Sequence, residues 1–141
     1  MRCAQTADGL GVSAAPAERW ADLFVDAWAG RTLEELAHEH PAGLQAWMTD
    51  PAARPHGGES VAELVARVDD AMSEVAGAGL HLVVTSPMVL RAAVVAVIGG
   101  DPSSFWSIDA GPLDGLEVSV NGTRRTVRRL RPFPQWVESR H

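Results

Sequence analysis

The stretch that most constrains this chain is Leu80–Gly100, LHLVVTSPMVLRAAVVAVIGG. It reads as a short buried strand, Leu80–Thr85, that passes through Ser86-Pro87 into an apolar helix, Pro87–Ile98, closed by two glycines. Serine is a good N-cap because its hydroxyl oxygen accepts from a free backbone amide of the first turn. Proline suits the next position, where no amide partner is needed. A strand feeding a helix in this way is the unit of open α/β folds, in which ligands sit at the carboxyl ends of the strands. Ser86 is therefore the first candidate site residue.

The 141 residues are 46% hydrophobic and 21% charged, enough for one core and one globular domain. The longest nearly apolar run, Met88–Gly100, is broken by Arg91 and is shorter than a bilayer span, so no membrane segment is expected. The opening MRCAQTADG lacks the apolar core of a secretory signal. With a single cysteine, Cys3, a disulfide framework cannot form within one chain, and a cytoplasmic location is expected. The net charge of -6 is uneven: residues 1–90 hold 13 acids against 5 arginines, and residues 91–141 hold 5 against 7.

The remaining elements follow from local signals. Helix formers over Met1–Gly11, closed by Gly9 and Gly11, predict a short opening helix. Residues 12–31 show no sustained period and predict an irregular, tryptophan-rich loop. Thr32 and Glu35 form a capping box for one short helix, and Pro41 starts a second that carries Leu44, Trp47 and Met48. After the loop PAARPHGG, Ser60 and Glu63 offer another capping box. Val61, Leu64, Val65, Val68, Met72 and Val75 then mark the apolar face of the strongest helix in the chain. Alternating Leu116, Val118 and Val120, a type I′ turn at Asn121-Gly122 and a return over Thr123–Leu130 predict a hairpin. Residues 132–141 form a proline-broken tail behind a domain over residues 1–131.

Several residues carry candidate chemistry. His38 and His40 are two apart, which places them about 200° apart around a helix, and no further His or Cys pair stands at ligand spacing; no metal is expected. The arginines at 124, 125, 128, 129 and 131 could follow phosphates, but they suit a solvated edge strand as well. With an acidic chain overall, no nucleic-acid partner is expected. Asp22 lies among Trp20, Phe24 and Trp28, a setting in which desolvation turns an aspartate into a general acid, although an exposed loop aspartate is the commoner occurrence. No Gly-x-Ser-x-Gly elbow surrounds Ser86.

Taken in order, these segments resemble the histidine phosphatase superfamily, which includes the cofactor-dependent phosphoglycerate mutases. Arg2-Cys-Ala-Gln-Thr6-Ala resembles the family's Ser-Pro-x-x-Arg-Ala-x-x-Thr-Ala helix, and Trp28-Ala-Gly30 its Trp-x-Gly segment. Pro55-His-Gly-Gly-Glu-Ser60 is similar to the Pro-Gly-Gly-Glu-Ser helix start, and Val83–Ala92 to Val-Val-Thr-His-Gly-x-Val-Ile-Arg-Ala. The resemblance covers about residues 2–130. It implies an α/β class fold: a truncated phosphoglycerate mutase-like three-layer α/β/α sheet with a C-terminal β-hairpin.

The departures from the family pattern shape the functional expectation. Family members begin with a strand ending in Arg-His-Gly, whose histidine takes the phosphoryl group, and this chain starts after that point. Ser86 stands where a second histidine is usual. Of the residues that normally cradle phosphate, Arg2 alone has a matching position, and Asp22 occupies the place of a glutamate proton donor. Phosphohistidine chemistry needs the nucleophile and several positive donors. The resemblance thus implies a degenerate member whose modified pocket takes a small, anionic molecule. In that pocket Asp22 is the candidate acid or base for isomerase, cyclase or hydrolase chemistry, Arg2, Ser86 and His56 are ligand contacts, and there is no cofactor. The alternatives are a non-catalytic binding or scaffold protein, or half of a split phosphatase completed by a partner carrying Arg-His-Gly. Because the family's first strand lies beside the one matching Leu80–Thr85, a homodimer or a second polypeptide is expected to cover that edge.

Overall fold

A computed structural model describes residues 5, 9, 11, 17–75 and 79–132. Of the expected opening helix, Gln5 and Gly9 are helical and Gly11 has φ +71°, while Arg2 lies outside the described residues. The tryptophan-rich segment is irregular, as its lack of period predicts, apart from single 3-10 turns at Glu18–Trp20 and Asp26–Trp28. Helix α1 (Leu33–Glu39) starts on a complete capping box: Glu35 N donates to Thr32 Oγ1 and Thr32 N to Glu35 Oε2, both at 3.1 Å. Helix α2 (Pro41–Thr49) begins on its proline and buries Trp47.

Helices α3 (Val61–Glu74) and α4 (Pro87–Ile98) form the centre of the molecule. The period-3.6 face of α3 buries Val61, Leu64, Val65 and Val68 against Val89, Ala92 and Val95 of α4. Val75, expected on that face, is the exposed C-cap instead. The capping box at Ser60 is half formed. Glu63 N donates to Ser60 Oγ at 3.1 Å, but the hydroxyl turns its own hydrogen to Glu63 Oε1 at 3.0 Å. Phe105, on a 3-10 stretch (Pro102–Ser107) in what reads as a plain connection, is fully buried against the same core. Each such side chain contributes about 1.5–3 kcal/mol by leaving water.

Strands β1 (Asp114–Asn121) and β2 (Arg124–Pro132) pair antiparallel. The turn differs from expectation by one residue. Asn121 pairs with Arg124, so Gly122 and Thr123 are the central residues, and of these two Gly122 alone has a positive φ, +62°. A glycine at the first central position is the II′ pattern, not I′. A bulge between Glu117 and Val118 shifts the register by one further residue away from the turn. The hairpin is tied to α3 by Arg125, whose guanidinium lies 2.8 Å from Asp69.

The mixed helix and strand architecture with a C-terminal hairpin is the fold class expected. The correction concerns Leu80–Thr85. Among the described residues the sheet has two strands, β1 and β2, and Leu80–Thr85 belongs to neither and pairs with nothing. Leu80 is 88% exposed and Leu82 58%. A strand is a property of a pair of segments, and no described segment runs alongside this one. Among the described residues no helix is long and apolar enough to cross a membrane.

Candidate functional site

The site forms where the loop around Asp22 meets the N-terminus of α4. Ser86 caps that helix, its Oγ accepting from Val89 N at 3.4 Å, and it donates to Asp22 Oδ1 at 2.7 Å. The same carboxylate oxygen accepts from Leu23 N at 2.8 Å. One residue earlier, Thr85 Oγ1 donates to the carbonyl of Trp20 at 2.6 Å. Two expected site residues, 64 positions apart in sequence, are thereby in direct contact. Asp22 Oδ2 has no hydrogen-bond partner among the described residues.

A groove of ≈ 420 Å³ opens beside Asp22, bounded by Glu18, Phe24, Gly58, Glu59, Glu63 and Arg67. Its wall is held by α3. Arg67 grips Glu59 through Nε and Nη2, both at 2.9 Å, and donates to the carbonyls of Arg19 at 2.8 Å and Asp22 at 3.5 Å. Glu63 is paired with Arg54. The groove also requires a glycine at 58, because a Cβ there would fall 2.2 Å from the carbonyl oxygen of Phe24.

His56 is not part of the groove wall. It is 2% exposed, edge-on to Trp28 and Trp47 at ring distances of 5.2 and 5.5 Å. Its Nδ1 accepts from Gly58 N at 2.8 Å, which puts the hydrogen of the neutral ring on Nε2, a buried atom with no hydrogen-bond partner among the described residues. Burial pushes its pKa below the ordinary histidine value, partly opposed by the carboxylate of Asp26. His56 thus supports the Gly57–Glu59 turn from behind. His40 stacks on Trp28 at 6.5 Å, and among the described residues no three His, Cys, Asp or Glu side chains are grouped to hold a metal ion.

Sequence reasoning missed Arg67 and Glu59. Their one signal is that Arg67 is the sole cation of α3, flanking the apolar face among Glu63, Asp69, Asp70 and Glu74. Nothing in that pattern says which carboxylate it grips, because the partner lies outside the helix and the two carbonyls lie 45 and 48 positions away.

Comparison with known proteins agrees with this architecture. The curated phosphoserine phosphatase 1 of Hydrogenobacter thermophilus is 27% identical over 107 residues, which amount to 73% of this chain and 51% of the relative. The chain therefore spans about half the length of that protein. Among solved structures, a mycobacterial glucosyl-3-phosphoglycerate phosphatase superposes with a TM-score of 0.73 at 18% identity, over 93% of this chain and 73% of its own. The alpha-ribazole phosphatase of Shigella flexneri gives 0.69 at 22% identity, over 90% and 65%. These likenesses are of fold. The family description "Histidine phosphatase superfamily (branch 1)" matches residues 1–131, and the chain belongs to that superfamily.

Proposed function

We propose that this chain is a degenerate histidine-phosphatase-like protein, with Ser86 in the place of the family's second histidine, that uses the family fold without phosphohistidine transfer. Its modified pocket binds a small molecule beside Asp22, whose carboxylate is held by Ser86 from outside the groove lining. The observation that carries this reading is the 2.7 Å hydrogen bond from Ser86 to Asp22 at the start of α4. A histidine nucleophile needs an exposed imidazole at the reacting centre, and the buried His56, with one nitrogen tied to Gly58, does not supply one. The pair supports acid or base chemistry: Oδ1 is held by Leu23 and Ser86, and Oδ2 is left to exchange a proton with a ligand. An anionic group of the ligand, such as a carboxylate, would be held at the N-terminus of α4, where free amides and the helix dipole favour negative charge. Glu18, Asp22, Glu59 and Glu63 around the groove oppose a second anionic group. A cytoplasmic setting suits a chain with a lone cysteine.

The test is turnover and binding by the purified chain. A generic aryl phosphate should not be hydrolysed above background. Carboxylate-bearing metabolites screened by thermal shift should include stabilisers whose effect is lost in both Ser86→Ala and Asp22→Asn. Hydrolysis of the phosphate ester by the chain alone, abolished in Ser86→Ala, would sink the proposal.

A second reading has its own support. The exposure of Leu80 and Leu82 and the half-length match to the curated relative suit a phosphatase site that is completed when a second polypeptide, or a second copy, pairs with Leu80–Thr85.

A further inference from the structure

We propose that Arg67 is a positioning residue for Asp22, its guanidinium committed inside the protein and not offered to a ligand. An arginine lining a groove in a phosphatase-like fold invites the opposite assignment, as an anion ligand. The geometry argues against that. Two of its nitrogens meet both oxygens of Glu59 at 2.9 Å, the fork-on-fork arrangement that satisfies a guanidinium and neutralises it at once. The other contacts go to the backbone carbonyls of Arg19 and Asp22. Four of the five N–H donors are thereby used, and the side chains of Arg67 and Glu59 are only 21% and 15% exposed. A phosphate entering the groove would have to break this pair while facing Glu18 and Asp22.

What Arg67 holds is the segment that carries the candidate acid or base. Residues 19–22 lie between two anchors: Arg67 of α3 fixes the carbonyls of Arg19 and Asp22, and Thr85 and Ser86 at the start of α4 take the Trp20 carbonyl and the Asp22 carboxylate. The backbone anchor sets where the carboxylate can reach, and the Ser86 hydrogen bond forms only if that reach is right. A lysine cannot replace the fork, because a single ammonium cannot span Glu59 and two carbonyls in one plane. The functional weight of this positioning rests on the reading of Asp22 as the site's acid or base; the coupling itself does not.

The experiment reads the carbon-13 chemical shift of the Asp22 carboxyl at neutral pH in the wild type, Ser86→Ala, Arg67→Met, Arg67→Lys and the double variants with Ser86→Ala. Ser86→Ala removes the hydroxyl that donates to Asp22 Oδ1, so it should displace that signal in the wild-type background and leave it unmoved in Arg67→Met and Arg67→Lys. An equal displacement in all three backgrounds would overturn the proposal, as would full coupling in Arg67→Lys, which would mean that charge alone suffices. Should Arg67→Met fail to fold, judged by amide dispersion, Glu59→Gln loosens the same fork from its other side and should abolish the coupling; coupling that survives there overturns the proposal. Inorganic phosphate titrated into the wild type should leave the Arg67 Nε signal unmoved, and a saturable shift of that signal would assign Arg67 as an anion ligand instead. Loss of the Ser86 effect alongside an absence of any binding ligand would retain the positioning role and remove the proposed function, so the two fail separately.

Discussion

Gly58 and His56 show how single residues shape the groove. Gly58 admits no side chain, because its ideal Cβ position lies 2.2 Å from a backbone oxygen, which unlike a flexible side-chain tip cannot swing aside. Gly58→Ala should destabilise the protein by about 2–3 kcal/mol, measured by urea denaturation, through the overpacking this forces. His56 supports the same turn as a hydrogen-bond acceptor. Its folded-state pKa is depressed by burial, so the unfolded chain binds the proton more readily. Its contribution to stability is present above the unfolded value and is lost as pH falls through about 6.5 and below. The melting temperature should therefore drop between pH 7.5 and 5.5. In His56→Asn, which keeps an acceptor toward Gly58 but does not titrate, that drop should shrink; an identical pH profile in both proteins would refute the assignment. The aromatic neighbours of His56 were invisible in sequence. Trp28, Trp47 and His56 are spread over 29 positions in three different local structures, and only packing brings their rings together.

At the scale of elements, legibility follows how local the determining interactions are. The apolar period of α3, the Thr32 and Ser86 caps and the proline starts of α2 and α4 are all set within one or two turns, and each could be read directly. Leu64, fully buried at the α3–α4 contact, is the position where that period matters most. Leu64→Ala should cost about 3 kcal/mol in chemical denaturation, and a loss well under 1 kcal/mol would mean that the two helices do not form the core. The hairpin was legible as a hairpin, but its turn was not: the closing pair is Asn121 and Arg124, and register depends on how two strands meet. The strand expected at Leu80–Thr85 is the larger miss. Its composition is that of a buried strand, while pairing needs a second segment that composition cannot supply.

At the scale of the molecule, Leu80 and Leu82 stand exposed on a segment of high β-propensity that pairs with no strand among the described residues, the usual template for strand addition. If a second chain covers this edge, light scattering should show association that grows with concentration, and Leu82→Glu should return the protein to a monomer. A wild type that stays strictly monomeric at high concentration while unfolding cooperatively would count against a covering chain. The sequence by itself determined the described helices, their caps, the hairpin and the family, because each rests on interactions between near neighbours in the chain or on motifs in fixed order. The tertiary structure alone decided that Ser86 meets Asp22, that Arg67 with Glu59 holds the loop between them, and that His56 is buried support for a turn. Those contacts join residues up to 64 positions apart, whose meeting depends on how α3 and α4 pack and on no local preference of the residues themselves.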